Sequence, residues 1–332
     1  MTNCSSSAKI TLKCESEYYE IVAGGFASTM PGGVLKKCSN SGNITLSGCC
    51  GSMSNYTAAG LVGNLAEKFV SCKNSGNITI KVESSGKNPK AVCASGICND
   101  ANNVTACGNT GKIKVTSAGA TPTLLCAAGI AVDGNVASKC YNKGAITLSG
   151  NMNNAYIPGS DGGYMGGVCA YSSKVTQCYN TGKISATVKA GSAQVGGVCG
   201  TIFGMKNCYN AGKVSLKGGG NVGGVAGVAD ISDGTVTSNY NVGVVTGKGK
   251  ANKGSIFGTY SGADLRMKRN IYDNYYTGSG KPYGTSGITW KEWVAKATKV
   301  SSITKGNCPK LSSKYWTYSS KVKRMILKNN KE

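Results

Sequence analysis

Cys38-Ser39-Asn40-Ser41-Gly42-Asn43-Ile44-Thr45-Leu46 returns as Cys72-Lys73-Asn74-Ser75-Gly76-Asn77-Ile78-Thr79-Ile80. The same pattern recurs at Cys107 (Asn109, Gly111, Ile113), Cys140 (Asn142, Gly144, Ile146), Cys178 (Asn180, Gly182, Ile184) and Cys208 (Asn210, Gly212, Val214). Two outliers keep the register. Cys4 precedes Ile10 and Leu12, and Asn239 takes the Cys position ahead of Asn241, Gly243 and Val245. A ninth, degraded copy begins at Asn274 and reaches Gly278. The anchors 4, 38, 72, 107, 140, 178, 208 and 239 stand 30 to 38 residues apart. Self-similarity at this period marks stacked units that share one core, because one unit alone cannot bury its apolar side.

Around the anchor, the column Ile10, Ile44, Ile78, Ile113, Ile146, Ile184, Val214, Val245 is apolar throughout. The next position reads Thr11, Thr45, Thr79, Lys114, Thr147, Ser185, Ser215, Thr246. Such apolar-in, polar-out alternation is the period of a strand. Ahead of each later anchor lies a Gly followed by an apolar residue, as in Gly25-Phe26, Gly60-Leu61, Gly96-Ile97, Gly129-Ile130, Gly167-Val168, Gly197-Val198 and Gly224-Val225. The distance from this Gly to the anchor is nearly constant except in the last copy, while the other side of the rung varies and takes the insertions. Gly density and period-2 patterning exclude helical solenoids. The expected fold is therefore an all-β, right-handed parallel β-helix over residues 1–284, about eight to nine rungs spaced roughly 4.8 Å apart. Residues 285–332 are expected to form a small cap, with a short amphipathic helix near 289–297, two Trp within it, a third at Trp316, and a basic tail.

Composition narrows the function. The chain has 332 residues, 49 of them Gly, and carries 37 Lys plus Arg against 14 Asp plus Glu. Only Arg266, Arg269 and Arg324 are Arg, so sequence-specific nucleic-acid reading is not expected, since bidentate contacts to phosphate and guanine rely on Arg. No His is present, which removes Ser–His–Asp triads, Cys–His dyads and imidazole metal sites. No apolar run approaches the roughly 18 residues of a membrane helix. The start lacks signal-peptide character, so the chain reads either as intracellular or as a piece of a longer exported protein with further domains.

Gly223-Gly224-Val225-Ala226-Gly227, followed by Thr235 through Val245, resembles the GLUG motif, with its Gly-Leu-x-Gly signature and Asn-x-Tyr-x-x-Gly-x-Val tail. GLUG-type repeats occur in bacterial surface proteins, including members of the immunoglobulin-A protease family and large adhesins. The resemblance covers roughly residues 4–278. It implies a right-handed β-helix displayed at the cell surface in a stalk or adhesion role. Cys at the anchor departs from that pattern. No metalloprotease motif is present, so protease activity is not implied.

The candidate residues follow from these columns. Cys38, Cys72, Cys107, Cys140, Cys178 and Cys208 read as small buried hydrophobes. Better placed for disulfides are Cys93 with Cys126, Cys169 with Cys199, and the neighbours Cys49 and Cys50. Asn40, Asn74, Asn109, Asn142, Asn180 and Asn210 read as a turn ladder whose amides bond rung to rung. Lys9, Lys112, Lys183 and Lys213 share one rung position, five residues past the anchor, and Lys13, Lys81 and Lys217 share another. Such stripes suit an extended acidic polysaccharide, mucin or cell-wall polymer. No catalytic, cofactor or metal site is expected. The alternatives are a purely structural stalk and a carbohydrate-active β-helix enzyme. The enzyme would need clustered carboxylates, and the sequence offers only Glu15, Glu17 and Glu20 near the start and the loop pair Asp230 and Asp233.

Overall fold

The computed structural model describes residues 1–14, 20–50, 54–84, 88–152, 162–231, 234–261, 270–286, 297–330 and 332. Among them no helix occurs, and every strand pairing but one is parallel. The chain is a parallel β-solenoid closed by a C-terminal antiparallel hairpin.

Each rung has the same itinerary. After the anchor comes a short strand, such as Ser39–Asn40. A turn at Gly42 leads into a first arm, Ile44–Cys50, and then a second arm, Asn55–Ala59. The chain bends at Gly60-Leu61, and a third arm, Ala66–Val70, returns it to the next anchor. The short strands stack into a ten-stranded sheet that runs from Ser5–Ser6 to Ala297–Lys299. The first and second arms belong to one 14-stranded sheet, because in two rungs they fuse into a single strand, Ile184–Gly196 and Val214–Gly223. In other rungs a loop separates them, and this is where the length variation falls. The third arms form an 11-stranded sheet. Register is strict: Ile10, Ile44, Ile78, Ile113, Ile146, Ile184, Val214 and Val245 are successive partners.

The bend glycines are dictated by close approach. A Cβ on Gly60 would stand 2.1 Å from the Gly96 carbonyl oxygen and 2.5 Å from the Asn74 amide carbon. The Asn column therefore crosses the rung and packs directly on the Gly column, and no side chain fits between them. Beside that seam, Leu61, Ile97, Ile130, Val168, Val198, Val225 and Ile256 are fully buried in one core cluster with the Cys column. The Ile column fills a second cluster.

Parallel pairing runs past residue 284. Tyr283–Ser286 pairs with Phe257–Ser261, and Ala297–Lys299 pairs with Asn274–Tyr276. The last rung carries neither Cys nor Asn at its anchor, because backbone hydrogen bonds propagate the stack without them. The helix expected near 289–297 falls mostly on residues 287–296, outside the described residues, as do Trp290 and Trp293; Ala297 itself begins a strand. Cys49 is described as exposed, whereas the Cys50 side chain lies outside the description.

Candidate functional site

At the corner before every anchor the backbone turns left-handed. Asn3, Lys37, Ser71, Ala106, Lys139, Gln177, Asn207, Ser238 and Asp273 have φ between 53° and 58°. Only Asn and Asp enter this region readily, so the four other residue types in this column, Lys, Ser, Ala and Gln, are held there by their surroundings. The turn aims the anchor's N–H along the stack, and the side chain of the next anchor receives it. Cys72 N–H donates to Cys107 Sγ at 3.3 Å, Cys140 N–H to Cys178 Sγ at 3.2 Å, and Cys178 N–H to Cys208 Sγ at 3.4 Å. Cys208 N–H donates to Asn239 Oδ1 at 2.8 Å, and Asn239 N–H to Asn274 Oδ1 at 3.1 Å. The anchor is thus a buried acceptor as well as a hydrophobe, which explains how Asn239 and Asn274 take the place of Cys. Burial pushes the Cys107 and Cys178 thiols well above the ordinary range. All fifteen described cysteines are free thiols, although Cys93 faces Cys126 and Cys169 faces Cys199 in register.

Two positions past the anchor, each Asn donates from Nδ2 to the Oδ1 of the next. The distances are 3.1 Å for Asn40 to Asn74 and 2.8 Å for the links on through Asn109, Asn142, Asn180, Asn210 and Asn241. Each Nδ2 also reaches the carbonyl of its own turn Gly, as Asn180 does to Gly182 at 2.9 Å.

One position past the anchor, the column faces outward and changes character. It reads Ser5, Ser39, Lys73, Gly108, then Tyr141, Tyr179, Tyr209, Tyr240, Tyr275. The tyrosine rings stack with centroids 5.5, 5.0 and 4.9 Å apart from Tyr141 to Tyr240. The C-terminal segment folds back over this stack, so it covers a flank of the solenoid and reaches toward earlier rungs. Ile303, Cys308, Leu311, Trp316, Met325 and Leu327 are buried against the rings. Tyr240 OH donates to the Met325 carbonyl, Tyr209 OH to Glu332 Oε2, and Tyr275 OH accepts Lys310 N–H. Asn330 Nδ2 reaches the carbonyls of Cys140 and Gln177 at 3.1 and 3.0 Å. Trp316 is 1% exposed and donates to Asn207 Oδ1, so it serves this packing and offers no open platform for a sugar.

The first-arm strands present an outer face that carries most of the register-matched lysines. Lys9, Lys112, Lys183 and Lys213 are all exposed in the column before the strands, where Lys213 follows Lys183 on the next rung. Lys114 interrupts the Thr column, and Lys13, Lys81, Lys217 and Lys248 stand two positions further on. Within the described part of these strands Glu83 is the one carboxylate, and it is bridged to Lys81 at 2.6 Å.

The structure also assembles carboxylates that sequence reading left scattered. Asp100 and Asp133 are register partners on adjacent third arms, and Tyr171 continues their column. Tyr164 meets Tyr171 edge-on at 6.4 Å, and Tyr171 meets Phe203 at 5.5 Å. Neither Asp100 nor Asp133 joins a hydrogen bond or ion pair through its carboxylate among the described residues. Both are solvent-accessible, yet the surrounding walls and the neighbouring charge of Asp100 push Asp133 up to about 6. The available signal was positional: both Asp stand seven residues before their anchors, Cys107 and Cys140. Of the other acids, Glu15, Glu17 and Asp233 lie outside the described residues. No group of three or more metal-ligating side chains occurs among the described residues. The chain matches no protein-family model, no curated protein and no solved structure.

Proposed function

We propose that this chain is a non-catalytic module of a bacterial surface protein that holds extended anionic polymers along its lysine-bearing face. One observation carries the reading. Lysines on this face stand in register on neighbouring rungs, as Lys183 with Lys213 and Lys217 with Lys248, almost without acids between them. Like charges directly opposite on paired strands are destabilising, and a polymer with charges recurring every ~5–10 Å along the stack would relieve them. Acidic polysaccharide, mucin and cell-wall polymers have this chemistry. The resemblance to GLUG repeats supports display at the cell surface. The expected behaviour is retention on heparin at low ionic strength that falls steeply as salt brings the Debye length to about 8 Å. Replacing Lys112, Lys183 and Lys213 together by Ala should lower the eluting salt concentration. Unchanged elution would remove the face from consideration.

A second reading, a carbohydrate-active enzyme, is favoured by the Asp100–Asp133 pair. Two neighbouring carboxylates, both held above the ordinary carboxylate range by burial, suit general acid and base work on a glycosidic bond. Release of new reducing ends from a glycan panel, abolished by Asp133→Asn, would establish it; an inactive wild type would dismiss it.

A further inference from the structure

The tyrosine column ends at Tyr141, and the face continues beyond it as an open groove of about 190 Å³. Its lining includes Ser41, Lys73, Ser75, Gly108, Thr110 and Tyr141. A cavity of about 150 Å³ accommodates a benzene ring, so a groove of this size has room for one six-membered sugar ring. The groove exists because Gly108 interrupts the column. A Cβ there would lie 2.1 Å from the Tyr141 ring, so the ring leans over a position that carries no side chain. Tyr141 stacks on Tyr179 at one side, is only partly buried, and forms the aromatic end wall.

We propose that this groove binds a single acidic sugar unit, stacked on Tyr141 with its carboxylate toward Lys73. The chemistry of the lining selects that class. An aromatic ring accepts the C–H face of a pyranose, as amphipathic aromatic side chains do at wet interfaces. Ser41, Ser75 and Thr110 are exposed, and each hydroxyl makes only a long 3.4 Å bond to a backbone carbonyl of the preceding rung. They retain acceptor capacity for sugar hydroxyls. Lys73 is exposed, and no ion pair engages it among the described residues. An apolar peptide would find no floor here, because the base of the groove is Asn40, Asn74 and glycine. The same face already holds a chain two rungs on, where the protein's own C-terminal segment sits on Tyr209 and Tyr240. This site is separate from the flat lysine face.

The test is calorimetric titration with a galacturonate dimer and, beside it, a neutral glucose dimer. The wild-type protein should bind the acidic dimer in the millimolar range or better. Tyr141→Ala should weaken it by about tenfold, and Tyr141→Phe should retain it, since stacking is the main contribution. Lys73→Ala, a change at an exposed position that leaves the fold intact, should erase the preference for the acidic over the neutral dimer. Gly108→Ser, whose Cβ would collide with the Tyr141 ring and push it out of place, should abolish binding even if Tyr141→Ala proves unstable. Lys183→Ala with Lys213→Ala should leave dimer affinity unchanged, which separates this site from the polymer face. No binding by the wild type, or wild-type affinity in both Tyr141→Ala and Gly108→Ser, overturns the proposal.

Discussion

The outward column beside the anchors is finished in two different ways along one uninterrupted ladder. In the early rungs it carries Ser5, Ser39 and Lys73 and stands open to water, with Gly108 buried beneath the Tyr141 ring; in the later rungs it carries five tyrosines, of which Tyr179, Tyr209 and Tyr240 are fully buried under the C-terminal segment. Beneath both halves the Asn amides, the left-handed corners and the backbone pairing are the same. The solenoid thus separates its scaffold from its surface. The inward columns fix the rung, and the outward column is free to become a docking face for the chain itself or for something else. Because each rung touches chiefly its neighbours, a change on one half has a local consequence.

The largest expected effect comes from breaking the cover. Trp316→Ala removes a fully buried ring from the tyrosine stack and leaves Asn207 Oδ1 without its donor. It should cost about 3–5 kcal/mol at the C-terminal unit. In hydrogen exchange, protection should fall at the hairpin and around Tyr209 and Tyr240, while amides near Asn74 stay as before. Loss of protection along the whole solenoid would show that the two halves are one cooperative unit.

The ladder comes next, and here the halves should agree. Asn74→Ala and Asn180→Ala each delete an amide that serves two neighbours and a turn carbonyl, at about 1–3 kcal/mol. Denaturant titration giving very different costs for the two would mean that the cover contributes to the ladder. Smaller again is the anchor. Cys178→Ala removes the sulfur and leaves the Cys140 N–H without an acceptor, at about 1 kcal/mol, whereas Cys178→Ser should restore part of the loss. In the same experiment Cys107 and Cys178 should resist thiol reagents until unfolding, as burial disfavours the thiolate.

The smallest effect is set by pH. Asp133 holds its proton more tightly in the folded chain than in the unfolded one, where a carboxyl titrates near 3.8. The folded state therefore binds more protons between that value and about 6, and stability falls as pH rises through this window. Asp133→Asn should raise the melting temperature slightly at pH 7 and leave it unchanged at pH 4. A melting temperature that drops at pH 7 would instead reveal a stabilising partner for the carboxylate.

Much of this architecture was legible in the residues. The Cys-x-Asn-x-Gly spacing and the Ile column sufficed for parallel stacking, because a two-residue side-chain period repeated every 30 to 38 residues has one simple burial solution. The placement of Lys183 beside Lys213 was visible for the same reason, as position within the rung fixes the face, although Asn43, Asn77 and Ala145 interrupt that column between Lys9, Lys112 and Lys183. Other features were hidden. The left-handed corner leaves no mark, since nine different turns use Asn, Lys, Ser, Ala, Gln and Asp alike. The acceptor role of the Cys column emerges only once neighbouring rungs stack, and the Asp100–Asp133 pair requires counting from the anchors rather than along the chain.

What the sequence determined by itself is the rung: which residues turn, which point inward, and how often the unit repeats. These follow from local sterics and alternation, which act within a few residues. Only the tertiary structure decided where the C-terminal segment lies, because its docking surface is a column of tyrosines drawn from separate rungs. Tyr209 meets Glu332 and Tyr240 meets Met325 across more than eighty residues of chain. No local pattern encodes that contact. It exists because stacking builds an apolar ladder from separate rungs, and the apolar residues of the C-terminal segment exclude water from it and from themselves by folding back over it.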